Sequence, residues 1–237
     1  ECRRMKVAIM QPYLFPYLGY FQLIHSSNVF VFYDDVNFKN KSWINRNKLL
    51  VDGKGEYFQI ELSKKSQNKL IKETEILSNT KSFNKLRNIL KHQYKSAPFL
   101  DSTYALVNEI INRPFKSISE LAISSVTEIF DYLELSKDFK VSSADFPETR
   151  GLGRIERLVE ITKLNNSLDY INMIGGSEIY TKEKFKSKGV NLHFLETNLP
   201  EYKQFNFPPI SGLSIIDTLM FNDRDKVKEM TEAFNLK

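Results

Sequence analysis

The stretch from Lys6 to Ile24 constrains the fold more than any other part of the chain. Val7-Ala-Ile-Met10 is a short apolar run of the length that suits a strand buried on both faces. Gln11-Pro12 ends it, because proline cannot donate to a sheet ladder. Beyond Pro16 the apolar residues Tyr17, Phe21 and Ile24 recur at helical spacing, so the pattern predicts a helix starting near Pro16. A buried strand, a tight loop and a helix N-terminus in succession open a Rossmann-like α/β unit. In open sheets of that kind ligands bind beyond the carboxyl ends of the strands, where helix N-termini offer free N–H groups. Gln11 and the loop Tyr13 to Gly19, with Pro12, Tyr17 and Tyr20 as the candidate contacts, are therefore expected at the mouth of a site; a proline-rich corner with buried aromatics would read the same way.

Val29-Phe-Val-Phe-Tyr33 reads as a second strand and runs into Asp34-Asp35. Adjacent carboxylates at a strand end can bind a metal, hold an amine or act as a general base, or simply solvate a turn. Trp43, the chain's single tryptophan, precedes Asn45-Arg-Asn47, whose amides and guanidinium suit phosphate or carboxylate and equally suit a polar edge loop.

The rest of the chain continues the α/β theme. Lys48–Val51 and Tyr57–Leu62 flank an Asp52-Gly-Lys-Gly55 turn, a hairpin signal. Residues 64–79 are polar and read as a linker with a short strand. Helices are expected over 82–94, 100–111 and 117–133, with Ser82 and Ser117 as N-caps and Ser117-Ile-Ser-Glu120 as a capping box. Strands at 139–142, 170–174 and 191–195 then alternate with helices at 155–164, from about Tyr180, 214–221 and 223–234. The expectation is an α/β protein, a Rossmann-like mostly parallel sheet with a helical insertion or cap. The boundaries expected are 5–80 and 137–237 for the two parts of the Rossmann-like domain and 81–136 for the insertion.

Three further groups stand out. Gly175-Gly176 after a buried strand brings backbone N–H groups near a phosphate or carboxylate, although no Walker or GxGxxG pattern is present. Arg150-Gly-Leu-Gly-Arg154 is a basic loop that closes on an anion or merely joins two elements. Asp217 lies in the apolar run Leu213–Phe221, where an unpaired charge is costly. It can pair with Arg46 or Arg154, orient another group or cap a helix, and structural pairing is the favoured reading. His25, His92 and His193 are scattered without ligand spacing, so no metal site is expected, and no cofactor is named by the sequence.

A set of motifs in one order resembles the WbqC-like protein family. They are Gln11-Pro-Tyr-Leu-Phe-Pro-Tyr-Leu-Gly-Tyr-Phe21, Asp34-Asp-Val36 with Ser42-Trp-Ile-Asn-Arg-Asn47, and Tyr94 with Ala97-Pro-Phe99. Gly175-Gly-Ser-Glu-Ile-Tyr180 and Ser214-Ile-Ile-Asp217 with Phe221-Asn222 complete the set. Tyr17 stands where the family often has tryptophan, and Gly176-Ser177 stretches its glycine pattern. The resemblance implies a role in bacterial O-antigen and other surface-polysaccharide (lipopolysaccharide) biosynthesis. The implied reaction attaches an amino acid or related acyl group to the amine of a nucleotide-linked amino sugar; the alternatives are an amino-acid transferase acting on another acceptor such as modified nucleic acid, and a non-catalytic module that binds glycan or nucleotide sugar. In the first reading Asp34 or Asp35 takes the proton. Asn45, Arg46, Asn47 and the Gly175-Gly176 amides hold the anion, while Tyr180 and Asp217 complete the site. The opening is also similar to that of nucleotidylyltransferases, but Tyr17, Gly19 and Tyr20 stand where their phosphate-binding histidines would be. That argues against nucleotidyl transfer and leaves nucleotide-sugar binding open.

Composition bounds the alternatives. The chain has 237 residues, is 41% hydrophobic and 27% charged, and carries a net charge of +5. The positive balance suits an anionic small molecule, a nucleic acid acceptor or a membrane surface, although the basic residues are dispersed among acids. No apolar run approaches the roughly 20 residues of a membrane helix. Glu1-Cys-Arg-Arg4 has no apolar core of a secretory leader, and Cys2 is the single cysteine, so a reducing cytoplasm is the expectation.

Overall fold

The computed structural model describes residues 5–63, 68–77 and 81–237. Cys2 and parts of the 64–79 linker fall outside them. Among the described residues the main sheet has six strands in the order β5-β2-β1-β6-β7-β8. They are β1 (Lys6–Met10), β2 (Val29–Phe32), β5 (Asp138–Val141), β6 (Asp169–Met173), β7 (Asn191–Thr197) and β8 (Phe234–Leu236). All neighbours pair in parallel except β7 and β8. Helices α1 (Leu18–Ser26), α6 (Arg154–Leu164) and α7 (Lys182–Lys186) lie between parallel strands. The sheet is thus the mostly parallel one expected from the buried apolar runs.

Alternation along those runs sends side chains to two cores. Val7, Ile9, Val29 and Val31 pack with Leu158 and Ile161 of α6 and Phe185 of α7. Ala8, Phe30 and Phe32 point the other way, into a cluster shared with α1, α8 (Ile215–Phe221) and α9 (Arg224–Thr231). Because helices cover both faces, no strand face is left to be polar.

Between β2 and β5 the chain builds a hairpin, β3 (Arg46–Val51) with β4 (Lys54–Gln59), and three helices, α2 (Lys81–Gln93), α3 (Leu100–Ile111) and α4 (Ile118–Tyr132). Asp52 and Gly53 turn the hairpin with φ of 49° and 73°, the pair of positive values an Asp-Gly turn supplies. The capping box at α4 is present: Ser117 Oγ accepts from Glu120 N, and Glu120 Oε2 accepts from Ser117 N.

Four local expectations need correction. Ser82 lies inside α2, which already runs at Lys81, and its Oγ accepts from Glu61 N. Described residues of the linker form a 3-10 turn at Ile71–Glu73 and isolated bridges, not a strand. Gly175-Gly-Ser177 sits in a 3-10 turn, Ile174–Glu178, and the following helix α7 begins only at Lys182. The last helix stops at Thr231, and Phe234–Leu236 becomes the antiparallel edge strand. Among the described residues no helix is long and apolar enough to cross a membrane.

Candidate functional site

The chain leaves β1 outward to β2 and β5, then returns to β6 on the other side of β1. The strand order therefore reverses between β1 and β6, the position where open α/β sheets take ligands. A cleft of about 920 Å³ opens there, at the carboxyl ends of the strands. Gln11 follows β1, Tyr33 and Asp35 follow β2, Asn172–Gly176 ends β6, and Thr197 ends β7; all line it. Tyr13, Tyr17 and Tyr20 close it from the loop and α1, Trp43 from the loop before β3, and Arg154 and Tyr180 from the α6 side.

Two glycines shape the cleft by what they lack. A Cβ on Gly19 would stand 2.4 Å from the Tyr17 ring and 2.6 Å from Thr197 Cγ2. One on Gly176 would stand 2.6 Å from Asn172 Nδ2, whereas one on Gly175 would meet nothing within 4 Å. Tyr13 and Tyr20 rings lie 5.5 Å apart, and Tyr20 Oη donates to Gln11 O at 2.8 Å. Burial pushes the Tyr17 phenol up to about 12 and raises those of Tyr13 and Tyr20, so these groups stay neutral donors.

The two aspartates are more enclosed than their position at a strand end implied. Asp34 accepts from Ser143 N at 3.0 Å and from Ser143 Oγ at 2.8 Å, and it does not line the cleft. Asp35 accepts from Ser142 Oγ at 2.5 Å and from Arg157 Nη2 at 2.7 Å, and its side chain has no exposed surface. Arg157 in turn donates from Nε to Thr149 Oγ1 at 2.9 Å and lies 4.9 Å over the Tyr33 ring. Burial works against ionisation of Asp35. The hydrogen bonds from Arg157 and Ser142, with the Arg157 charge, outweigh it and hold the carboxyl below its usual range. The carboxylate thereby holds the Arg157 guanidinium against the Tyr33 ring.

The Asn45-Arg-Asn47 segment does not enter the cleft. Asn45 Nδ2 donates to Ile60 O at 3.0 Å. Asn47 Nδ2 donates to Leu14 O at 3.1 Å and Phe15 O at 2.9 Å. Together with Ser125 Oγ on Phe15 N and Ser214 Oγ on Phe15 O, it holds Phe15 at φ 40°, a left-handed value unusual for an aromatic residue. Arg46 leaves the strand outward, over the Tyr57 ring at 4.2 Å. Pro12 is buried.

Asp217 is fully buried and pairs with neither Arg46 nor Arg154. It accepts from Tyr94 Oη at 2.7 Å, Tyr202 Oη at 2.7 Å and Gln204 Nε2 at 2.6 Å. Burial raises its carboxyl above the ordinary value despite those three donors. His25 contacts Thr231 Oγ1 at 3.1 Å, and His193 contacts Asp169 at 2.7 Å, at the amino end of β6. Among the described residues no group of three His, Cys, Asp or Glu is placed to hold a metal.

Gln11, Tyr17, Tyr20, Asp35, Trp43, Gly175, Gly176 and Tyr180 are thus brought together; Pro12, Asp34, Asn45, Arg46, Asn47 and Asp217 are not. Tyr13 lines the cleft as the loop 13–19 led one to expect, whereas sequence reading missed Tyr33, Asn172, Arg157, Ser142 and Ser143. Two of them carried a signal. Asn172 interrupts the apolar run Tyr170–Ile174, and Arg157 falls on the same stripe of α6 as Ile161 and Leu164.

These features define an α/β protein with a ligand cleft at the switch point of a Rossmann-like sheet. The chain belongs to the WbqC-like protein family, whose family model matches residues 11–229. It is also similar to an uncharacterized protein of Mycobacterium tuberculosis, 24% identical over 222 residues, which are 92% of this chain and 93% of that protein. No solved structure matches it.

Proposed function

We propose that the protein is a transferase of surface-polysaccharide biosynthesis that binds a nucleotide-linked amino sugar in this cleft. The reaction proposed is attachment of an amino acid or related acyl group to the sugar amine. The observation that carries this reading is the lining of the cleft, which combines tyrosine and tryptophan rings with the Gly175-Gly176 turn and Arg154. Ring faces suit a nucleobase or sugar. Backbone N–H groups and a guanidinium suit phosphate.

The donor would be an activated carboxylate, a thioester or a mixed phosphate anhydride. The amine nitrogen attacks its carbonyl carbon, the C–N bond forms, and the bond to sulfur or phosphate oxygen breaks with its electron pair. The ammonium proton passes to the leaving group or water, because Asp35 is engaged by Arg157. Catalysis then rests on holding amine and carbonyl in contact.

That same engagement of Asp35 favours a second reading, a module that binds a nucleotide sugar without turning it over. Calorimetry with uridine and thymidine diphosphate amino sugars, beside mass spectrometry after incubation with aminoacyl and acyl donors, separates the two. Saturable binding with a mass gain of one acyl group supports the transferase. Binding with no mass gain across the donors supports the module. No binding by any nucleotide amino sugar rejects both.

A further inference from the structure

The outward face of the β3–β4 hairpin has a composition that the cleft does not explain. Register pairs Arg46 with Gln59 and Lys48 with Tyr57, which puts these four on one face, while Asn47, Leu49 and Phe58 are buried on the other. Arg46 Cζ lies 4.2 Å and Lys48 Nζ 5.0 Å from the Tyr57 ring centre. Trp43 lies beside them, its ring 6.0 Å from that of Tyr57 and tilted by 33°. Both rings are open to solvent, at 38% and 43% exposure.

The charge on this face is unspent. Positions 41–48 hold Lys41, Arg46 and Lys48 and no acid. Among the described residues neither Arg46 nor Lys48 has a carboxylate partner. Arg46 Nη2 donates to Lys41 O at 2.6 Å, and the buried Nε has no hydrogen-bond partner. Trp43 is shared: it also lines the cleft, and its carbonyl accepts from Leu14 N at 3.0 Å, which ties it to the loop that carries Tyr13 and Tyr17.

We infer that this face is a second binding station continuous with the cleft, where Arg46 and Lys48 take the phosphate groups of a phosphorylated ligand and Trp43 with Tyr57 flank it with ring faces. Guanidinium and ammonium groups without carboxylate partners need no rearrangement to accept phosphate oxygens. Rings beside the cations add stacking and cation–π contact. The inference rests on the nucleotide-sugar reading to the extent that the diphosphate of that ligand is shared, one phosphate held by Arg154 and the Gly175-Gly176 turn in the cleft and the other by Arg46 and Lys48.

Trp43, the chain's single tryptophan and the source of all indole emission, reports binding along the rim that cleft and station share, and the double variant separates the station from the cleft. The test titrates uridine diphosphate, a uridine diphosphate amino sugar and inorganic pyrophosphate, following emission and heat in parallel. Protein types are wild type, Arg46→Gln with Lys48→Gln, and Arg154→Gln as the cleft control. The result expected is a saturable emission change whose dissociation constant rises by about tenfold or more in the double variant, the loss of one to two charged hydrogen bonds. Heat without emission change, or equal affinity in the double variant, leaves the cleft reading standing and overturns the station. Silence toward both nucleotides, with a pyrophosphate response lost in the double variant, overturns the nucleotide reading and keeps the station. Silence toward all three probes overturns the station, leaving only a surface cation–π pair. Thermal unfolding of the double variant at the wild-type temperature excludes misfolding as the cause.

Discussion

Arg157, from helix α6, donates to the carboxylate of Asp35, at the end of β2, across 2.7 Å in a position closed to solvent beneath the cleft. The pair joins the two halves of the sheet's upper rim, since α6 leads into β6 and Asp35 follows β2. Among the described residues, breaking the pair from the arginine side leaves the buried carboxylate with only Arg150 as a cationic partner, an exposed side chain whose Nε stands 4.0 Å away.

Arg157→Leu is therefore expected to destabilise the protein by about 3–5 kcal/mol, the usual cost of stranding one buried partner. The combined Arg157→Leu and Asp35→Leu variant should cost less than the sum of the single changes, because no charge is left behind. Urea unfolding of the three variants measures the coupling. Additive losses would show that the pair contributes nothing as a pair.

Two acids give the stability curve opposite slopes. Asp35 is lowered from an ordinary value of 3.8, so its contribution is present above that value and is lost as pH falls through the folded value. Asp217 is raised from the same 3.8, so its contribution is complete below that value and is lost as pH rises through the folded value. The stability advantage of wild type over Asp217→Asn should thus be greatest in acid and shrink toward neutrality. Urea titrations carried upward from the ordinary value of 3.8 follow that loss. An advantage that grows with pH would reverse the assignment.

The cleft glycines should separate folding from binding. Gly175→Ala meets no atom within 4 Å and should leave stability within about 0.5 kcal/mol while narrowing the site. Gly19→Ala drives a methyl to 2.4 Å from the Tyr17 ring, so it should both lower the melting temperature and move Tyr17 from the cleft wall. Scanning calorimetry and ligand titration of the two variants, side by side, test the contrast.

Asn47 should behave as a structural clamp. Asn47→Ala removes the donor to the Leu14 and Phe15 carbonyls, at an expected cost of about 1–3 kcal/mol for buried acceptors left unmade. Its effect on ligand affinity should follow only from release of the Tyr13–Tyr17 loop, so Asn47→Asp should be no milder: its carboxylate would face two carbonyl oxygens. Equilibrium unfolding of both variants decides the point. Full stability in Asn47→Ala would return this residue to the list of ligand contacts.

The order of strands and helices was legible because β1 and β2 are short runs dominated by apolar residues, β6 and β7 keep apolar cores between their polar ends, and the longer helices carry apolar stripes. The position of the cleft followed in part: Gln11, Asp35 and Gly175 fall just past strand ends and the topology gathers those ends, whereas the helical segment 81–136, expected to form a wall with the sheet, lines none of it. Partners were not legible. Asn47 reads as an anion ligand until Leu14 and Phe15 are found beneath it, and Asp217 as a partner for Arg46 or Arg154 until Tyr94 and Tyr202 close on it. Those contacts cross 15 to 123 positions of chain, beyond any local pattern. Arg157 was passed over because a charge on a helix ordinarily faces water. The edge strand Phe234–Leu236 is too short to have its own signature and exists through its register with Leu195–Thr197.

Strand β1 lies inside the sheet, with Val7 beside Val29 on one side and Tyr170 on the other. The first neighbour is close in sequence, whereas the second arrives only after the hairpin, the three-helix segment and α6. A chain emerging from the ribosome therefore completes one flank of its innermost strand early and carries the other unpaired until most of the polypeptide exists. Closing so long a loop slows folding, and an open apolar edge invites wrong partners meanwhile. The architecture that gathers the cleft late in synthesis thereby gives molecular chaperones an interval in which to act.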